Sequence, residues 1–152
     1  MKLVSVAKRR AELVIVSAHV GPNWGVPSRE MQALAHDLID MGVDLYWGHS
    51  NHTPQGVELY NGRAIVYSAG DFIDDYMVDE DERNDLSFLF LLEVEQGRIA
   101  RLRLYPTRIE NFGVRLANER EWQFLTRTMQ AKCKAFGTMM TIEGQVGMIP
   151  VM

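Results

Sequence analysis

The 152 residues suit one domain, and 47% hydrophobic with 24% charged residues excludes a disordered or collagen-like chain. Sixteen basic against twenty acidic residues leave a net charge of -4, which argues against general nucleic-acid binding. The single cysteine, Cys133, excludes an internal disulfide framework and a Cys-only zinc cluster.

The chain begins with a short apolar stretch, Leu3-Val4-Ser5-Val6, met at once by Lys8-Arg9-Arg10. That stretch is too short for the apolar core of a signal peptide. No run approaches the ~20 apolar residues that span a bilayer. The expectation is a chain that stays in the cytoplasm where it is made. Glu12 to Ala18 is a continuous β-branched run, apolar on both faces, which predicts a central buried strand. It ends at His19 and a loop, Val20-Gly21-Pro22-Asn23-Trp24-Gly25.

Ser28 is placed to cap a helix over about 29–41, with Met31, Leu34, Ala35, Leu38 and Ile39 on one buried face and Gly42 closing it. His36 falls on the polar face and is expected in solvent. Val43 to Trp47 predicts a second strand, running straight into Gly48-His49-Ser50-Asn51-His52. Strand, loop, helix, strand is the order of a parallel βαβ crossover. Both histidine-bearing loops then follow C-terminal strand ends, the edge where open α/β sheets bind ligands.

Asn61-Gly62 between Val57–Tyr60 and Arg63–Tyr67 predicts a type I′ hairpin. A second hairpin turns at Gln96-Gly97, between 87–94 and an Arg/apolar alternation over 98–104. Asn118 and Glu121 have capping-box spacing ahead of a last helix, with Trp122, Leu125, Met129, Cys133 and Phe136 on one stripe and Gly137 at its end. Cys133 on that stripe reads as a buried, inert thiol. Residues 139–152 are weakly patterned and suggest one edge strand. The fold class is α+β (mixed α/β): one βαβ unit, antiparallel hairpins and a C-terminal helix in a single domain, 1–152.

Charge is uneven: 71–97 holds ten acidic residues and one basic, 98–136 nine basic and three acidic. Two mutually attracting solvated faces explain this, and an acidic lip beside a site is the sharper alternative. The chemistry-bearing residues are three histidines beside glycine-bearing turns. His49 and His52 lie three apart on one loop, and His19 ends the neighbouring strand. Neutral imidazole is a ligand for zinc, manganese or iron, so His19, His49 and His52 are candidate ligands of one or two divalent ions. A histidine after a strand also often serves only to bond a backbone carbonyl, so the chemistry depends on the three rings meeting. Asp71 is a supporting candidate, while Asp74, Asp75, Asp79, Asp81 and Asp85 are expected at the surface and lack the calcium-loop pattern. No phosphate-cradling Gly-rich loop and no Gly-x-Ser-x-Gly elbow is present.

The run Leu-Val-Ile-Val-Ser-Ala-His-Val-Gly at 13–21, the helix sequence at 31–44, Gly-His-Ser-Asn-His-Thr-Pro-Gln-Gly-Val-Glu-Leu-Tyr-Asn-Gly-Arg at 48–63 and Ile-Val-Tyr-Ser-Ala-Gly-Asp-Phe-Ile-Asp-Asp-Tyr after it resemble the CapA-type family of poly-γ-glutamate or capsule-synthesis proteins. The resemblance runs in order from about residue 7 to 137. It implies the calcineurin-like metallophosphoesterase fold, a β-sandwich flanked by helices with a two-metal site at the sheet edge. His19 then corresponds to the late single-histidine motif, and His49 and His52 to the final Gly-His motif. Asn51, Gln55 and Asp71 become supporting or substrate-contact candidates. Family members often carry a further histidine where this chain has Ser50. The early Asp, Glu and Asn-His pair of the family's N-terminal half do not precede Lys8, so the resemblance covers the C-terminal half of the domain.

Three functions follow as expectations. The first is a metal-dependent phosphoester or related hydrolase of the capsule-synthesis type, complete only with an N-terminal half. The second is a non-catalytic half-domain that binds a complementary chain or itself. The third is polyanion binding through the arginines of 98–136, with affinity falling steeply with salt.

Overall fold

A computed structural model describes residues 2–151. In chain order these form α1 (Lys2–Lys8), β1 (Ile15–Ala18), α2 (Arg29–Asp40), β2 (Leu45–Gly48), β3 (Val57–Tyr60), β4 (Arg63–Val66), β5 (Leu86–Glu95), β6 (Arg98–Glu110), β7 (Gly113–Leu116), α3 (Glu119–Ala135), β8 (Thr141–Glu143) and β9 (Val146–Pro150). Two sheets and three helices give the expected α+β class.

The first sheet has the order β1-β2-β4-β3. β1, β2 and β4 run parallel, so the crossover through α2 is the predicted βαβ unit. β3 returns antiparallel beside β4 through Asn61 and Gly62, both at positive φ (48° and 68°) as a type I′ turn requires. The second sheet has the order β5-β6-β9-β8, and β7 shares the far edge of the long β6 with β9.

Alternation along each strand decides which layer it faces. Leu45, Ala64 and Val66, with Trp47 packed against them, meet Phe88, Leu102, Leu104 and Ile149 of the second sheet and Leu125, Met129 and Cys133 of α3. Trp47 meets Phe90 edge-on, ring centroids 5.1 Å apart, across the two layers. The opposite face, with Val14, Tyr46, Ile65 and Tyr67, packs on Ala35 and Ile39 of α2 and on Val4 and Ala7 of α1. The molecule is therefore a sandwich with helices on its first sheet. Asp44 ties the helical side together. Its buried carboxylate accepts from Lys8 Nζ (2.9 Å) and the Val14 amide (2.9 Å), and pairs with Arg63 Nε (3.1 Å).

Several expectations need correction. The 12–18 run is not a central strand: β1 is the outer strand of its sheet and Ile15 is 48% exposed. Its β-branched composition reported strand propensity, not burial on both faces. α1 forms over the short apolar stretch at the start of the chain, which carries no helix signal of its own. Leu34 is exposed, because the packed stripe of α2 is narrower than its periodicity suggests. Within the weakly patterned 139–152 stretch, β8 and β9 form a hairpin whose second strand lies inside the sheet beside β6. β7 has no counterpart in the sequence pattern: its turn uses Asn111 and Phe112 at positive φ (52° and 58°), and Phe112 gives no turn signal. Asp85 is buried, held by Arg83 (2.8 and 3.0 Å) and Arg108. His36 is half-buried: its ring stacks on Tyr60 (3.9 Å, 5°) and its Nε2 meets Glu58 at 3.0 Å.

The charge segregation does pull the fold together, since Glu93 of β5 pairs with both Arg101 and Arg103 of β6. The helix ends follow the sequence closely. α2 is capped by Ser28 Oγ and closes through Gly42 (φ 98°), with Val43 N donating to Leu38 O. α3 opens on the full Asn118/Glu121 capping box. Asn118→Ala removes two side-chain acceptor bonds, to Arg120 N and Glu121 N, and is expected to cost about 1 kcal/mol. The check is a lower urea midpoint at unchanged slope. Burial holds the Cys133 thiol above its ordinary pKa, as expected of an inert core cysteine.

Candidate functional site

The three parallel strands end on one edge, and each delivers side chains to it. β1 ends at Ala18 and gives His19. β2 ends at Gly48 and gives His49 to His52. β4 ends at Val66 and leads to Ser68 through Asp71.

The 49–56 loop is built as a hydrogen-bonded knot. His49 N donates to Ala18 O (3.1 Å), His52 N to Asn23 O (2.9 Å) and Ser50 Oγ to Val20 O (2.7 Å), so the loop after β1 is stitched to the loop after β2. Asn51 is buried and central. Its Oδ1 accepts from Thr53 N and Oγ1 (both 3.0 Å) and from Gln55 Nε2 (3.3 Å), while its Nδ2 donates to Gly25 O (3.0 Å). Ser68 Oγ donates to Asn51 O (2.7 Å), which fastens the β4 loop to the same knot. Asn51 and Gln55 are thus placed as internal braces of the loop, and Ser50 serves the same scaffold.

The structure sorts the three histidines into two groups. His19 and His49 lie side by side and exposed, ring centroids 5.4 Å apart. Two imidazoles on one tetrahedral ion, with metal–nitrogen bonds of about 2.0–2.1 Å, put their centroids about 5 Å apart, so this pair has the spacing of shared ligands. His52 stands apart with other partners. Its Nδ1 meets both carboxylate oxygens of Asp71 (2.9 and 3.0 Å), and its ring is walled by Trp24 (5.2 Å) and Tyr76 (5.3 Å). Burial raises the Asp71 pKa and Asp74 adds to that, against the lowering effect of the His52 bond. Among the described residues no group of three or more His, Cys, Asp and Glu is arranged to hold a metal ion. Two imidazoles therefore lie together, and a third is oriented by a carboxylate.

Sequence reasoning passed over three residues here. Ser17 Oγ lies 3.0 Å from His49 Nε2. The signal was available: Ser17 shares a strand face with His19, and the strand pairing sets it opposite Trp47, two residues before His49. Trp24 and Tyr76 carry no comparable signal, because both reach His52 from irregular loops.

A parallel-edged sheet with histidines at its C-terminal strand ends, covered on one side by helices and on the other by an antiparallel sheet, is the class of protein that fold and site define. A family model for the bacterial capsule synthesis protein PGA_cap matches residues 1–76, the stretch that supplies every side chain described above. A probable polyglutamine synthesis accessory protein of Mycobacterium tuberculosis is 35% identical over 136 residues, covering 86% of this chain and 36% of its own length. The PGA biosynthesis protein CapA of Bacillus subtilis is 36% identical over 74 residues, 48% of this chain and 20% of that protein. An uncharacterized Sinorhizobium fredii protein is 30% identical, covering 87% of this chain and 39% of its own length. The chain belongs to the PGA_cap capsule synthesis family, and it spans well under half the length of these curated relatives. No helix among the described residues is long and apolar enough to cross a membrane.

Proposed function

We propose that this chain is the histidine-bearing part of a metal-dependent, phosphoesterase-like domain that serves poly-γ-glutamate or capsule synthesis. The His19–His49 pair at the ends of adjacent parallel strands is the observation that carries the reading. His19 and His49 would be two ligands of one divalent ion, zinc, manganese or iron. His52, oriented by Asp71, would face the second position or the substrate. A bound ion pair supplies an activated water and offsets charge gathering on a phosphoryl or acyl centre. The carboxylates that bridge such ions would come from a complementary N-terminal half. The names of the Mycobacterium and Bacillus relatives support the biosynthetic setting, and the substrate within it is part of the proposal.

Calorimetric titration with zinc, manganese and iron tests this. The wild-type chain is expected to take up at least one of these ions, and His49→Ala to bind at least 10-fold more weakly. No binding of any of the three, with unaltered stability in His49→Ala, ends the metal reading.

One observation favours a second reading, a half-domain that associates with a complementary chain or with itself. Among the described residues β1 is an outer strand whose far edge pairs with no other strand; Ile15 is exposed, and Val20 (40% exposed) follows it. Size-exclusion chromatography separates the outcomes: a clean, stable monomer at high concentration speaks against this reading.

A further inference from the structure

We infer that Ser17 is a positioning residue for His49, selecting which ring nitrogen is offered to a ligand. The inference rests on the metal-centre reading for its purpose but on hydrogen-bond geometry for its substance. The Ser17 hydroxyl lies 3.0 Å from His49 Nε2. A neutral imidazole has one N–H and one lone pair, and the partner of one nitrogen decides the role of the other. With Ser17 Oγ accepting from Nε2–H, the lone pair sits on Nδ1, and His49 presents that nitrogen for coordination.

The arrangement at His52 is opposite. There Asp71 engages Nδ1, which leaves Nε2 as the free nitrogen. Two histidines three residues apart on one loop therefore present different ring atoms, each set by a partner on a different strand or strand extension. Ser17 is held by β1, whose pairing with β2 fixes it opposite Trp47, so the hydroxyl is delivered by a ladder rather than by a mobile loop. His49 is anchored in the same way through its own amide on Ala18 O. Both ends of the Ser17–His49 bond thus belong to one rigid unit, as orientation of a ligand requires.

Nitrogen-15 NMR of the metal-free chain and zinc calorimetry test this together, on wild type, Ser17→Ala and Ser17→Thr. In wild type the two His49 ring-nitrogen shifts are expected to be widely split, with the proton on Nε2. In Ser17→Ala they move toward each other as the two tautomers mix, and zinc affinity falls 10-fold or more. Ser17→Thr, which keeps the hydroxyl and suits a strand, restores both. A Ser17→Ala spectrum and affinity equal to wild type overturns the inference, and so does a wild-type proton found on Nδ1. Flat wild-type titrations with zinc, manganese and iron, with unaltered stability in His49→Ala and the split shifts intact, sink the metal reading alone, and the spectra still decide the role of Ser17.

Discussion

Gly48→Ala should cost about 3 kcal/mol or more and displace His49, the largest effect expected from adding a single methyl group to this chain. A Cβ at position 48 would lie 2.1 Å from Tyr67 O and 2.8 Å from Tyr67 C, both main-chain atoms of the segment that continues β4. Backbone locked in a neighbouring strand has no rotamer through which to yield. The only relief is to part β2 from β4 at the edge where the histidine loop and the Asp71 loop leave the sheet. That parting also strains the Ala69 N to Gly48 O bond (2.9 Å). Gly62→Ala is the control. It has open space around it but a φ of 68°, so its cost is conformational only, about 1 kcal/mol. Urea denaturation ranks the two, and the His49 ring resonances should shift in Gly48→Ala alone. A Gly48→Ala protein as stable as wild type would mean that β2 and β4 do not approach this closely.

Glu121→Gln is expected to destabilise the chain by about 2 kcal/mol at neutral pH. The Glu121 carboxylate is buried at the start of α3. It accepts from Arg108 and from both terminal nitrogens of Arg115 (2.8 and 3.0 Å), and it closes the capping box through Asn118 N (2.8 Å). The Arg115 bonds lead in pulling its pKa down to about 2 from an ordinary 4.5. A carboxylate depressed in the folded state contributes its stability above pH 4.5 and loses it as pH falls toward about 2. The difference between wild type and Glu121→Gln should therefore be full at pH 6 and shrink across that window. Denaturation at stepped pH measures it. A difference that stays constant down to pH 2 would show that the ionised carboxylate is not what matters at this position.

Much of the first sheet could be read from residues alone, because its signals are local. Asn61-Gly62 demands one turn type, Ser28 and Gly42 bracket a helix, and a βαβ order with a short loop leaves one handed, parallel arrangement. What escaped was non-local. Whether the 12–18 run is central or outer depends on which strands flank it, and that is a property of the whole sheet. β9 is paired inside the second sheet although Val146-Gly147-Met148-Ile149-Pro150 carries little pattern, because its place is set by β6, more than forty residues earlier. At the site, the strand ends brought His19 and His49 together as their positions implied. The separate setting of His52 came from Asp71, Trp24 and Tyr76, whose approach depends on loop paths that periodicity does not encode.

The division of labour between the two sheets bears on how variation in this chain will read out. The histidines, Ser17 and Asp71 all lie within the first 76 residues, while β5 through β9 touch that half through the shared core, the Trp47–Phe90 contact and Ser87 Oγ, which donates to Ala69 O (2.9 Å). Random substitutions in the outer layer should accordingly lower how much folded protein a cell accumulates, whereas those in the leading half can alter what each folded molecule does. Abundance and specific output would then separate along the chain near residue 76, and a mutational scan scored on both would draw that border without a structure.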